Sequence, residues 1–318
     1  MDTRQLIVDT AQKMFGDFCD KQQLDAAETG VLPDSLWQAV VENGFDQLGT
    51  AASGTTPADM FAFIQECGRY AVPLPMAETL IANYWFGGQE LSSIGEVADG
   101  AVVDVPWGRA CGSVVAVDAA AGTVSKISQP QVVSQSANMA GEPRDIVALP
   151  QAVDATTLTP EDDPYAVLAL TRASLMAGCL QTILDLGIQF ATERNQFGRS
   201  ISNFRGNNRQ TVLNSLELAA AKRSVDAGVD AMGDPRFVPE VAAAKARVGE
   251  AAGVVAEQVH QIHGAMGFTH EHRLHHYTRR VWSWRDEWGG EFYWQARLGS
   301  HLAQLGADAV WGYIATRN

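Results

Sequence analysis

Two segments of the chain bring together residue types that could do chemistry. Arg194-Asn-Gln-Phe-Gly198 offers a guanidinium and a glycine turn, and Gln261-Ile-His-Gly-Ala-Met-Gly267 offers an amide and two glycines. Each stands at the end of a long Ala-rich helical stretch. A guanidinium is a fixed fork of donors that suits phosphate oxygens. Glycine lets backbone approach a ligand more closely than a Cβ would permit. The two segments read as halves of a clamp for a pyrophosphate-bearing cofactor. Arg194, Arg199, Arg205 and Arg209 gather around the first, and Arg273, Arg279, Arg280 and Arg285 follow the second. Solvated helix faces account for many such groups, but their place beside the glycines raises the anion-site reading.

Other residues carry weaker signals. His270, His272, His275 and His276 cluster without a carboxylate at ligand spacing, so no metal site is expected. His263 is expected to pack or to bond backbone. The cysteines Cys19, Cys67, Cys111 and Cys179 are scattered with no CxxC pair, as in a reduced cytoplasmic chain. Trp282, Trp284, Trp288 and Trp294 form a dense aromatic set, expected in a core or an interface.

Composition bounds the rest. The 318 residues are 46% hydrophobic, ample for two or three domains. A net charge of -14 disfavours nucleic acid and anionic membranes as partners. Any anionic ligand must then be held by local charge. No run of about 18 uncharged apolar residues is evident, so no transmembrane helix is expected. Met1-Asp-Thr-Arg-Gln-Leu is mixed polar and does not read as a signal peptide.

The elements that must position these residues fall into three blocks. Residues 1–85 read as helical: Leu6, Ala11, Met14, Phe15 and Phe18 share a face, Asp34 caps a second helix ending near Gly44, and Thr56-Pro57 starts a third that stops before Pro73. Residues 86–155 lose that period and become short β-branched runs between turn residues, read as a small antiparallel β-domain. Residues 156–318 return to helices at about 164–194, 210–232, 236–263, 272–280 and 292–305, which suggests an antiparallel bundle. The expected fold is mainly α, with an N-terminal helical domain, a truncated antiparallel β middle domain and a C-terminal four-helix bundle.

This order resembles the acyl-CoA dehydrogenase family. The motifs that carry the resemblance are Glu193-Arg-Asn-Gln-Phe-Gly198, Phe204, Gln261-Ile-His-Gly-Ala-Met-Gly-Phe-Thr and Arg279, in that order. The resemblance implies FAD, held between two subunits. Arg194 would pair with a FAD phosphate. Gln196, Phe197, Gly198 and Arg205 would lie along the cofactor, and Gln261, Gly264 and Gly267 beside its adenosine-diphosphate part. Arg205 stands where the family commonly has glutamine.

Three other parts of the family's pattern differ. The glutamate base that removes an α-proton falls, by count from Arg279, on Trp288 before Gly289, and indole cannot accept a proton. Glu287 is one residue away and is the weak candidate for a base. Glu291 is three away. The alternative base position, on the first bundle helix, is Leu168 followed by Ala169. Gly290-Glu-Phe stands where a threonine and glutamine commonly serve the cofactor. The stretches that line the flavin ring have no match in the β segment, where Gly112-Ser-Val and Ser136-Ala-Asn are poor substitutes.

The resemblance therefore implies a heteromeric partner: the FAD-sharing subunit of an acyl-CoA dehydrogenase that desaturates an acyl-CoA at its α,β-bond, similar to the short subunit of actinobacterial steroid-CoA enzymes. A longer subunit would supply the base and the substrate site, with two of each chain, and an acceptor such as electron-transfer flavoprotein would take the electrons. The alternatives are a self-sufficient enzyme using Glu287 and a helical scaffold without flavin. An obligate apolar interface is expected, with the Trp282–Trp294 stretch contributing to it.

Overall fold

The structure is a computed structural model and describes residues 3–151, 153–159 and 162–316. Helix α1 (Thr3–Phe18) buries Ile7, Ala11, Met14 and Phe15, the face its spacing announces. Asp20 accepts the Gln23 N–H and so starts α2 (Lys21–Ala27), which the periodicity does not reveal. In α3 (Asp34–Glu42) the cap is Pro33, not Asp34. Asp34 lies inside the first turn, where its charge suits the helix dipole. Thr56 and Asp59 form a reciprocal capping box at the head of α4 (Pro57–Arg69), with proline in the first turn. Helix α5 (Met76–Phe86) is buried continuously from Met76 to Asn83, so it has no polar face to reveal it.

Seven strands follow among the described residues: β1 (Ser92–Ala98), β2 (Ala101–Pro106), β3 (Ser113–Asp118), β4 (Thr123–Ser128), β5 (Val132–Ala137), β6 (Pro143–Ala148) and β7 (Ala155–Thr157). They form one sheet in the order β5-β6-β2-β1-β3-β4-β7. The expected antiparallel sheet is corrected to a mixed one, because β1 and β3 pair in parallel. The outer edge of β2 is taken by β6, so the returning chain joins the far side of β1. Trp107, in the left-handed region at φ 55°, turns it there.

Helix α6 (Pro164–Glu193) is the axis of the C-terminal half. It packs against α4, α7 (Arg205–Asp230), α8 (Phe237–His263) and α9 (Leu274–Asp286), while α10 (Glu291–Leu305) lies on α8. A further helix, α11 (Ala307–Thr316), was not expected. A Cβ on Gly178 would lie 1.8 Å from the Gln65 carbonyl oxygen, and one on Gly68 would lie 1.9 Å from that of Leu175. Helices α4 and α6 therefore touch backbone to backbone. By length and mean hydropathy α6 could cross a membrane, although Arg172 and Asp185 interrupt it and it holds no run of 18 uncharged residues. However, 94% of its apolar window is buried inside the fold, as in a core helix.

Candidate functional site

Helices α6 and α8 end side by side. Phe190, one turn before the end of α6, stacks on His263, the last residue of α8, with ring centroids 4.4 Å apart. His263 Nδ1 bonds the Val259 carbonyl at 2.8 Å, so its ring is fixed from its own helix. The two glycine segments leave from this joint.

The first segment folds into a hairpin that its sequence does not advertise. Strands β8 (Asn195–Gln196) and β9 (Arg199–Ser200) are joined by Phe197-Gly198, both left-handed at φ 54° and 81°. Two positive φ values match a two-residue type I′ turn, usually Asn-Gly or Asp-Gly. Phenylalanine there is strained. Its ring is 91% exposed and meets Phe204 only edge-on, at 6.2 Å. Arg199 lies over Phe204, 4.3 Å from the ring centre. Arg194 closes α6 and is exposed, and among the described residues its guanidinium has no hydrogen bond or ion pair. Gln196 is exposed on β8, and Arg205 is exposed at the first residue of α7.

The second segment has less freedom. Gln261 is exposed on the last turn of α8. Gly264 ends that helix at φ 56°, with nothing near its missing Cβ, so ligand approach is open there. Gly267 is buried, and a Cβ on it would meet His263 Cβ at 2.9 Å and His260 Nδ1 at 3.0 Å. Its small size is thus accounted for by internal packing. His260 is itself held between the rings of Phe268 and Trp282. Burial lowers the pKa of both His260 and His263, which favours neutral rings.

In the second arginine group Arg273 is exposed, but the other three are ion-paired within the fold. Arg279 and Arg280 both bind Glu28, and Arg285 binds Glu291. Arg280 also lies 3.3 Å from Glu142, which pairs with Arg144 and accepts the Trp284 indole N–H. Arg144 Nη2 then reaches Glu287 at 2.7 Å, and Arg172 links Glu287 to Glu78. These side chains make one chain of buried or half-buried charges. It runs from the loop after α2, through α9 and β6, to α6 and α5. Glu78, Glu142, Arg144 and Arg172 line, with Trp107, Met76 and Leu175, a space of about 30 Å³, room for a water or two. Drug-sized ligand pockets run to roughly 300–1,000 Å³.

Glu287 is thus ion-paired through both carboxylate oxygens, to Arg144 and to Arg172. Although burial acts to raise its pKa, the Arg144 and Arg172 charges and hydrogen bonds outweigh this and hold it at about 2. Trp288, left-handed at φ 55°, sets its ring edge-on to Tyr165 at 5.5 Å. Leu168 and Ala169 are buried in the core. The loop carrying Glu287 is held by Lys245, whose ammonium donates to the carbonyls of Arg285 and Gly289, both at 2.7 Å. Burial pulls the Lys245 pKa down to about 7. The hydroxyls considered in the sheet are also engaged: Ser113 bonds Ser92 at 2.9 Å, and Ser136 donates to the Arg144 carbonyl.

The tryptophans are internal. Trp294 is fully buried, Trp284 nearly so, and Trp282 and Trp288 pack against the core. The four tryptophans thus take the core setting, one of the two expected, while Phe292 and Tyr293 of the same stretch are exposed. Other large exposed apolar groups include Phe197, Phe268 and Trp311. A wide cleft of about 930 Å³ among the described residues lies between the β4–β7 edge and α10 and is lined by neither glycine segment nor Glu287. Its carboxylate, Asp163, caps α6 through the Ala166 N–H and pairs with Arg297.

The exposed, unpaired Arg194 and the open backbone at Gly198 and Gly264 fit one end of a diphosphate-bearing group. No closed pocket in the described residues would hold a flavin ring beside Glu287. Against known proteins, residues 165–286 match the acyl-CoA dehydrogenase C-terminal domain. The chain is 27% identical over 264 residues to acyl-CoA dehydrogenase IpdE2 of Mycobacterium tuberculosis, covering 78% of this chain and 80% of that protein. Its fold is similar to a chain of the ChsE4-ChsE5 complex from Mycobacterium tuberculosis, with TM-score 0.84, 15% identity, and coverage of 96% of this chain and 99% of that one. It is similar also to the Tcur3481-Tcur3483 steroid ACAD, with TM-score 0.81, 18% identity, and coverage of 95% and 98%. The architecture is that of an acyl-CoA dehydrogenase, as the resemblance in the sequence implied.

Proposed function

We propose that this chain is the FAD-sharing subunit of a heteromeric acyl-CoA dehydrogenase. It would complete the cofactor site of a longer subunit, which holds the acyl-CoA and the base. One observation carries the reading. The space between sheet, N-terminal helices and bundle is small and lined by the ion-paired Glu78, Glu142, Arg144 and Arg172, and the candidate carboxylate Glu287 is bound by the same two arginines. By contrast, Arg194 and the Phe197-Gly198 turn face outward.

When bound, FAD supplies the acceptor for the β-hydride. This chain's residues bind and orient. Arg194 would neutralise a phosphate through charge-assisted bonds. Gly198 and Gly264 would let backbone approach the diphosphate, with Gln196, Arg205 and Gln261 beside it. Phe197 would cover the cofactor from water. Gly267 would act indirectly, by allowing the turn to close on His260 and His263. The steroid ACAD and the two-protein complex among the similar structures favour a sterol-derived CoA ester and a paired subunit. An acceptor such as electron-transfer flavoprotein would reoxidise the flavin.

The self-sufficient reading would need the α10 cleft to hold substrate near a free carboxylate, and Asp163 is committed to a cap and an ion pair. The experiment is an absorbance spectrum and a native mass of the chain alone and co-expressed with a longer family member. Two copies of each chain, with one FAD per heterodimer and no flavin on the lone chain, is the expected result. A yellow homotetramer with one FAD per chain and dehydrogenase activity would overturn it.

A further inference from the structure

The histidines after the second glycine segment acquire in the fold what their sequence spacing lacks. Helix α2 and the residue just after it bring Asp25 and Glu28 against α9. One ligand atom each from Asp25, His275 and His276 lies within 4.8 Å of the other two. His276 is fully buried, and its Nε2 lies 3.1 Å from Asp25 Oδ1 yet makes no hydrogen bond within the fold. Ligand atoms of a tetrahedral site with bonds of about 2.0 Å stand roughly 3.3 Å apart, so this pair is already at that spacing.

The supporting bonds have the pattern of a metal site. His276 Nδ1 contacts Glu28 Oε1 at 2.6 Å, and His275 Nδ1 contacts the His272 carbonyl at 2.7 Å. Each contact fixes a ring and directs its Nε2 lone pair away. Metal-ligating histidines ordinarily carry such a carboxylate or carbonyl behind the ring. Lys21 takes Asp25 Oδ2 at 2.6 Å, leaving Oδ1 on the histidine side. Arg279 and Arg280 stand close, but their charge is met by Glu28, and for Arg280 also by Glu142.

We propose that Asp25, His275 and His276 form a binding site for one divalent borderline cation, with Zn²⁺ the best match to imidazole and carboxylate donors. Glu28 acts behind His276 as a positioning residue. The cation would tie α2 to α9, and so the N-terminal helices to the element that follows the Gln261–Gly267 turn. The open coordination positions go to water or to His270, whose ring centre is 5.1 Å from that of His275. No reaction is assigned to the metal.

The test uses the full chain, stripped with EDTA, with its partner where the two co-purify. ZnCl₂ is titrated against a chromophoric chelator, thermal unfolding is followed with and without the metal, and CoCl₂ serves as a spectroscopic probe. The expected result is one Zn²⁺ per chain, a melting temperature that rises with Zn²⁺, and a cobalt spectrum of mixed nitrogen and oxygen ligation. Asp25→Asn and His275→Gln should each weaken binding at least about ten-fold. His301→Gln, outside the cluster, should leave it unchanged. Should His275→Gln fail to fold, the exposed Asp25→Asn decides. No saturable 1:1 binding, or binding unchanged in Asp25→Asn, would overturn the site and leave His276 as an ion-paired core histidine.

Discussion

Phe190 stacks on His263 at 4.4 Å with an interplanar angle of 26°, and this contact makes neighbours of the segments that begin at Arg194 and Gln261. Neither ring is a candidate ligand. Each lies within one helical turn of one, so the geometry of the proposed clamp depends on an aromatic pair. His272 adds a third ring, 4.7 Å from His263.

Arg194 gives the direct test of cofactor binding. Its side chain is exposed and supports nothing inside the fold, so Arg194→Ala should leave the melting temperature of the lone chain unchanged. In the assembled enzyme the substitution removes a charge-assisted bond worth about 1.5–3 kcal/mol. Flavin content after gel filtration should fall by at least ten-fold in affinity. Full flavin retention at equal stability would refute the assignment.

Phe197 separates stability from function. Asparagine tolerates the left-handed conformation better than phenylalanine does. Phe197→Asn should therefore keep or slightly raise the stability of the chain, by less than about 1 kcal/mol. It should also weaken flavin retention or subunit pairing. Denaturant melts and flavin-to-protein ratios check both halves. A variant that is destabilised but binds normally would contradict the argument.

Glu287 should matter to folding. Glu287→Gln leaves Arg144 and Arg172 buried with too little negative charge, a change that costs about 3–5 kcal/mol. The carboxylate has a folded pKa of about 2 against an unfolded value of 4.5. Its contribution is therefore fully present above about pH 4.5 and is lost as pH falls toward 2. Wild type should lose stability over that window more steeply than the variant in parallel urea melts. A variant as stable as wild type at pH 7 but with turnover lost in the flavin-loaded complex would instead restore the catalytic reading.

Lys245 predicts the opposite slope. Its pKa is 10.5 in the unfolded chain and about 7 when folded. Between these values the unfolded state binds more protons, so stability rises with pH. The burial penalty is fully present below pH 7 and is relieved as pH climbs toward 10.5. Lys245→Met should remove this slope, narrowing the gap to wild type at pH 7 relative to pH 9. Parallel slopes in both proteins would show that Lys245 stays charged throughout.

Much of the helical frame is readable locally, because caps and periodicity act within a few residues. Thr56-Pro57 with Asp59 marks its own helix, and the ends of α6 and α8 fall within a residue of where sequence places them. Helix α5 is hidden because burial on all sides erases the polar stripe. The parallel β1–β3 pair is hidden because register depends on which sheet edge is free. The Phe197-Gly198 hairpin is hidden because its strained first residue is a poor turn former. The role of Glu287 is set by Arg172 and Arg144, 115 and 143 residues distant, and the carboxylate behind His276 is 248 residues away. Such partners have no local signature.

The chain of paired charges between Glu28 and Glu78 also constrains how this sequence can change over time. Replacing Glu287 alone would strand Arg144 and Arg172 in the interior, and replacing either arginine first would strand a glutamate. Each single step crosses an unstable intermediate, so opening a pocket here requires coordinated substitutions. Interdependence of this kind works as an evolutionary ratchet: once the space is filled by mutually dependent ions, selection on stability alone keeps it filled.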